Sequence, residues 1–364
     1  MADRFRRHPS ARLFGPGGTE AGTEALAQAL TRGCGFRIGL DDDPPPAPEG
    51  FETLTSGSTG RPRRIRRSVA SWTASFAVNE GLFGIGPGTR VAVLGALEHS
   101  LSLYGALEGA HLGAEVHLLA GLRPDRQAKA LADRGVEVLY ATPAQLRGLS
   151  GALPDLRLVL VGGSKLDVTL RRRLAQIAPA AKIREFYGAA ETSFVALADD
   201  DTPDDSVGRP YPGVSLDLRE GEVWVKSPYL FDGYVSDPGS ARWQDGWLSV
   251  GEIGRMRDGF LYLHGRKGRM VTVADQNVFP EEIEALMETL PGVDRAAVLA
   301  RPDPARGHVL HAVAMGDPGA EAAILAALRA ALGPLKAPRG ITWRRDWPVT
   351  ASGKTDLAAL ERGG

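Results

Sequence analysis

The chain has 364 residues, 43% of them hydrophobic, enough core-forming material for a large domain plus a small one. Its formal net charge of -1 leaves no excess of cations to drive binding to a nucleic-acid backbone, and its single cysteine, Cys34, excludes an intrachain disulfide and a multi-thiolate metal site. No apolar run reaches the roughly 18 residues of a membrane helix and MADRFRRHPSARLFG lacks the apolar stretch of a secretory signal, so a soluble cytoplasmic protein with no membrane or nucleic-acid partner is expected.

In chain order, TEALAQALTRGCGF predicts a short helix, with Leu26, Ala27 and Leu30 at helical spacing and Gly33 near its end, and FRIGL predicts a strand. DDDPPPAPEG breaks regular structure and reads as a linker. From Val91 the runs VAVLG, LSLYGALEGAHLG, AEVHLLA, PDRQAKALADRG, VEVLYATP, LRLVLVGG and LDVTLRRRLAQIAP alternate between strand and helix patterns. That alternation predicts an α/β fold with a mostly parallel sheet, whose crossovers deliver loops to the carboxyl edges of the strands, where ligands sit. VLVGG and EFYGAAE are both read as such strand-end loops. After Val207, SLDLREGEVWVKS and FLYLHGR predict a hairpin-rich subdomain. From about Gly268, a helix over 280–290, a strand over 296–300, a helix over 321–332 and a basic tail predict a small α+β lobe, giving expected domains of 1–267 and 268–364. No internal repeat is evident.

The run Thr55 to Arg64, TSGSTGRPRR, is too small and too polar to pack a core. Hydroxyls and exposed backbone N–H groups make an anion cradle, glycine permits close backbone approach, and the following arginines add positive charge. On composition alone a flexible linker fits equally well. A P-loop NTPase is disfavoured, because Arg61 and Pro62 stand where the Walker lysine and hydroxyl would follow the last glycine. The basic run over 61–67 reads either as a solvated helix start or as a source of attraction for a triphosphate, and its position favours the second.

Four more segments follow: EFYGAAETSF over 185–194, GWLSVGEIGRMRDGFLYLHGRKGRMV from Gly246, NVFPEEIE from Asn277, and TASGK ending at Lys354. In this order and spacing, from about residue 52 to the C-terminus, the chain resembles the adenylate-forming superfamily of acyl- and aryl-CoA synthetases, peptide-synthetase adenylation domains and luciferases. The N-terminal region is shorter than in that superfamily. The resemblance implies that a carboxylic acid and MgATP form an acyl-adenylate and pyrophosphate, with transfer to the thiol of CoA or of a carrier protein's phosphopantetheine. A small-molecule acid is then the substrate, ATP and Mg²⁺ are the cofactors, and an acyl or peptidyl carrier protein is a candidate partner.

The resemblance also distributes roles. It implies that Thr55, Ser56, Gly57, Ser58, Thr59 and Gly60 wrap the β- and γ-phosphates, with Arg63 in place of the usual lysine. Gly162, Gly163 and Ser164 match an adenine-contacting turn. Tyr187 matches the ring against adenine, Gly188 belongs to the same segment, and Glu191 matches the Mg²⁺ ligand. Glu252 stands where an aspartate usually binds the ribose, and Arg266 matches its arginine partner. Lys354 matches the catalytic lysine of a mobile loop, Gly268 the hinge, His99 the wall of the carboxylate pocket, and Pro143 the next wall. Departures from the pattern are Ala190 in place of a threonine, Glu252 in place of aspartate, and Ala274 and Asp275 in place of two glycines along the pantetheine route. Asp275 puts a charge where a narrow thiol channel is expected. A basic surface at Arg339, Arg344 and Arg345 would suit an acidic carrier protein. The rival reading, a non-catalytic nucleotide-binding protein of the same fold, takes the departures as decay, whereas the TASGK loop at Lys354 favours catalysis.

Overall fold

The computed structural model describes residues 3–39, 46–55, 62–235, 239–274, 276–350 and 354–363. The chain opens with β1 (Arg12–Phe14), α1 (Glu24–Arg32), β2 (Phe36–Arg37), β3 (Phe51–Leu54), β4 (Arg64–Arg67) and α2 (Val69–Phe83). Ser68 starts α2 by accepting from the Ser71 backbone N–H, and Gly84 ends it in the left-handed region. Then β5 (Arg90–Val93), α3 (Ser100–Leu112), β6 (Glu115–Leu118), α4 (Pro124–Asp133), β7 (Val138–Ala141), α5 (Pro143–Arg147), β8 (Leu158–Val161) and α6 (Val168–Ile177) alternate, as the apolar runs predict. The segment closes with β9 (Lys182–Ala189), β10 (Ser193–Leu197) and β11 (Arg209–Pro210).

These strands form an eight-stranded sheet in the order β1-β6-β5-β7-β8-β9-β10-β11, parallel from β1 to β9 and antiparallel beyond. Its central strands are apolar throughout because both faces are covered. Val91, Val93, Val138, Tyr140, Leu158 and Leu160 pack into one core, and the alternating Ala92, Leu139, Ala141, Val159 and Val161 into the other. The first fifty residues join the larger core: the Phe5 ring lies 5.2 Å from Phe51 and 6.0 Å from Phe36 and Phe76. Two readings need correction. EFYGAAE is not wholly a strand-end loop, since β9 runs to Ala189 and turns antiparallel into β10. Gly188 serves close approach there, because a Cβ on it would stand 1.8 Å from the Ser193 carbonyl oxygen. The basic run is not a helix start, since Arg64 to Arg67 form a strand.

Next come β12 (Ser215–Arg219), β13 (Glu222–Lys226), β14 (Gly233–Tyr234), β15 (Arg242–Gln244), β16 (Trp247–Ser249), β17 (Glu252–Arg257) and β18 (Phe260–Arg266). All but β14 build an antiparallel sheet, and β14 pairs with β4. Three hairpins turn on Glu220-Gly221, Asp245-Gly246 and Asp258-Gly259, with positive φ at every position, the backbone that two-residue type I′ turns require. The C-terminal part holds β19 (Val271–Val273), β20 (Gln276–Val278), α7 (Pro280–Thr289), β21 (Val293–Asp303), β22 (Gly307–Gly316), α8 (Glu321–Lys336), β23 (Ile341–Trp343) and α9 (Leu357–Arg362) around a core of its own. α8 breaks at Gly333, φ 78°, just before Pro334, one residue past its predicted end.

Candidate active site

A cavity of about 390 Å³ opens at the carboxyl edge of the parallel sheet, where open α/β sheets collect their ligands. Gly95 after β5, Thr142 after β7 and Gly163 after β8 reach it from the sheet; the β9–β10 turn adds Glu191, β18 adds Arg266, and the C-terminal part adds Lys354. Thr55, Arg63, His99 and Gly188 line the same space. Residues far apart in sequence therefore meet at one point, as the motif order implies.

Lys354 is tied to Thr350: its carbonyl accepts from the Thr350 N–H at 2.8 Å, and its own N–H donates to the Thr350 hydroxyl at 3.2 Å. Burial pushes the ammonium down to about 8; Arg266 adds to the fall, while Glu252 and Glu191 oppose it. Arg266 and Glu252 face each other across the β17–β18 pair, and the guanidinium Nε donates to Glu252 Oε1 at 2.9 Å. Burial works to lower the Arg266 pKa, but Glu252, Tyr187 and Glu191 outweigh it and raise it, so this cation is secure. Glu252 lies outside the cavity lining, with its carboxylate on the arginine that reaches in. At Glu191, Oε1 accepts from the Tyr234 hydroxyl at 2.9 Å, and Oε2 has no hydrogen-bond partner among the described residues.

Other predicted residues fall less directly. Tyr187 does not line the cavity: β9 alternates, so Phe186 and Gly188 face in while Tyr187 faces the Val195–Leu261 cluster near Glu252 and Arg266. Ser164 is exposed beside Gly163 and is not part of the wall. Pro143 is buried as the first residue of α5, and the wall there is made by its neighbours Thr142 and Gln145. Ser56, Gly57, Ser58, Thr59, Gly60 and Asp275 lie outside the described residues. Gly268 sits in a 3-10 turn, Lys267–Arg269, directly after the strand that carries Arg266. Arg339 is 3.7 Å from Asp303 and Arg344 3.1 Å from Asp346, while Arg345 is exposed. The buried His99 Nδ1 has no partner among the described residues.

Sequence reasoning missed several contributors. Arg67 was grouped with cations for a triphosphate, yet it is fully buried, donating to the carbonyls of Ala190 and Tyr229 and at 2.8 Å to Ser193 Oγ. It holds the turn that presents Glu191. Burial lowers its pKa to about 10, against the pull of Asp232 and Glu191. Ser193 lines the cavity, but its hydroxyl accepts from both Arg67 and the Trp72 indole N–H, and Thr192, which accepts from the Ala189 N–H at 2.9 Å, is buried in the turn. Trp72, Tyr104, Ser102 and Gln145 also line the cavity; the three-residue step from His99 to Ser102 along α3 was the available signal.

The chain is similar to several known proteins. Residues 31–235 match the AMP-binding enzyme family, and residues 282–354 match the AMP-binding enzyme C-terminal domain. The chain is 34% identical over 330 residues to the uncharacterized acyl-CoA ligase YhfT of Bacillus subtilis, covering 85% of this chain and 67% of that protein. It superposes with a TM-score of 0.74 on the amide bond synthetase McbA from Marinactinospora thermotolerans, at 26% identity over 97% of this chain and 80% of that one. The o-succinylbenzoate-CoA synthetase MenE of Bacillus subtilis, solved with ATP and magnesium ion, shares the fold at a TM-score of 0.73 and 23% identity, covering 85% and 69% of the two chains.

Proposed function

This chain belongs to the AMP-binding enzyme family, and we propose how its own residues divide the work of activating a carboxylic acid with ATP. The activity is AMP-forming ligation: a carboxylate oxygen bonds to the α-phosphorus of ATP, the bond to the β-phosphate breaks, and pyrophosphate leaves. The thiol sulfur of CoA then bonds to the acyl carbon, AMP leaves, and the thiol proton passes to solvent. In-line displacement needs positioning and charge neutralisation rather than covalent help from the protein.

The observation that carries the assignment is Lys354 inside the cavity with Arg266 and Glu191. Lys354 places a positive charge on the reacting carboxylate and α-phosphate. Arg266, fixed by Glu252, holds the ribose, and Arg63 attracts the outer phosphates together with residues 56–60. Glu191 fits a hard cation through Oε2, which no described residue partners, since Mg²⁺ in nucleotide sites binds through one or two carboxylates plus phosphates. Mg²⁺ bound there would neutralise phosphate charge. His99 and the turn at Gly163 border the acid and the adenine respectively. A carrier-protein phosphopantetheine presents the same thiol arm as CoA, and we offer it as a second acceptor, supported by exposed Arg339 and Arg345.

The test is ATP–pyrophosphate exchange with the preferred acid. Lys354→Ala should lower exchange by roughly a hundredfold or more and leave ATP affinity within a few-fold, because its charge acts mainly in the transition state. Unchanged exchange would remove Lys354 from the reaction.

A further inference from the structure

Building on the acid-activating function above, we propose that the substrate is a compact aryl carboxylic acid bearing a ring oxygen, selected by a sealed aromatic wall and by Ser102 and Gln145.

The acid's end of the cavity runs beside α3, from His99 at its N-cap to Tyr104 five residues on, a rise of about 7.5 Å. That length suits one ring with a substituent. Tyr104 stops the space: its ring lies 5.1 Å from Trp72 and 5.2 Å from Phe194, which is in turn 4.5 Å from Phe186. Its hydroxyl is tied to Ser75 at 2.7 Å, Asn79 at 3.1 Å and Glu108 at 3.3 Å, all fully buried, and Glu108 also binds Tyr140. Opening a tunnel for a long alkyl chain would require the ring to leave these partners, stranding buried polar groups. Trp72, Tyr104, Phe186 and Phe194 line the space together with glycine at 95 and 163, and rings beside bare backbone suit a planar ring.

The wall is not wholly apolar. A Cβ on Gly95 would stand 2.7 Å from both Ser102 Oγ and Gln145 Nε2, so these two atoms converge on one spot. Gln145 Oε1 is committed to the Thr142 N–H at 2.9 Å, completing the cap of α5, which fixes the amide with its nitrogen turned toward Gly95. Neither Gln145 Nε2 nor Ser102 Oγ has a hydrogen-bond partner among the described residues. A donor and a hydroxyl converging beside an aromatic slot call for an oxygen on the ring, and such a site rejects the analogue that lacks it.

The test measures two things on the full chain: calorimetric binding of acids without ATP, and ATP–pyrophosphate exchange. The acids are benzoate, the three monohydroxybenzoates, decanoate and palmitate. At least one hydroxybenzoate should bind and support exchange better than benzoate, with decanoate and palmitate inactive. Ser102→Ala should cut the preference for that hydroxybenzoate over benzoate about tenfold, the worth of one hydrogen bond. Exchange driven best by decanoate or palmitate would overturn the proposal while leaving acid activation standing. Failure of every aryl acid to bind would overturn it too. Binding of a hydroxybenzoate without exchange for any acid would uphold the proposal and instead count against the activation chemistry.

Discussion

A lysine buried beside an arginine holds its proton weakly, and Lys354, brought down to about 8, is in that position. A bound polyphosphate would reverse the balance by adding negative charge where Arg266 now opposes protonation. Binding of MgATP near pH 8 should therefore take up roughly a third of a proton, as much as a few-fold coupling to ATP affinity allows, read as a dependence of binding enthalpy on buffer ionisation. Lys354→Ala should abolish that uptake, and equal enthalpies across buffers for the unmodified protein would contradict it. Glu191 makes a complementary case. Glu191→Gln keeps the shape and the Tyr234 contact but removes the charge a hard cation needs, so the Mg²⁺ concentration for half-maximal exchange should rise at least tenfold, with partial recovery in Mn²⁺. Charged residues such as these were legible in the sequence because each sits in a segment whose composition makes little sense as core. Gly95, Ser102 and Gln145 were not, since glycine after a strand and small polar residues in helices are commonplace and acquire meaning only when the fold brings them within reach of one another.

Strand alternation decided two things that residue type concealed. In β4, Ile65 and Arg67 point inward while Arg66 is exposed, so one arginine of a basic run becomes a buried strut for the Glu191 turn. Arginine is so rarely buried that a run with five of them over 61–67 reads as surface, and only the pairing of β4 with β3 and β14 reveals which member turns in. Arg67→Met should destabilise the protein by about 3–5 kcal/mol, because it strands the Ala190 and Tyr229 carbonyls. Arg67→Lys, which keeps the charge, should fold better yet still raise the Mg²⁺ requirement through a looser turn; normal Mg²⁺ dependence in a folded Lys variant would confine Arg67 to stability. In β6, His117 is buried against Phe14 at 4.8 Å with neither ring nitrogen partnered among the described residues, and burial pushes it down to about 4. Its stability contribution is full above its unfolded pKa of about 6.5 and is lost as pH falls toward 4, by roughly 3 kcal/mol. Denaturant midpoints should fall across that window, and His117→Phe should flatten the decline.

At the scale of the molecule, the alternating apolar runs made the parallel sheet readable and the short turn-rich pieces after Val207 made the hairpins readable, whereas the edge strand β1 is too short for a periodicity signal. The lobe carrying Lys354 has its own core, yet its lysine enters a cavity built by the rest of the chain, the arrangement that the proposed adenylation role requires. On the role proposed for Lys354, a thiol arm approaches the same acyl carbon afterwards, and we extend that proposal to a turn of the lobe about the short connection after Arg266. We propose Gly268 as the pivot. A Cβ there meets nothing within 4 Å, and Gly268 is not in the left-handed region, so Gly268→Ala should leave the present arrangement intact. If the second arrangement uses backbone angles open only to glycine, alanine adds about 1–2 kcal/mol to it alone. Pyrophosphate exchange by Gly268→Ala should then match the unmodified protein while CoA thioester formation from the same acid slows about tenfold. Equal loss in both partial reactions, or in neither, would place the pivot elsewhere.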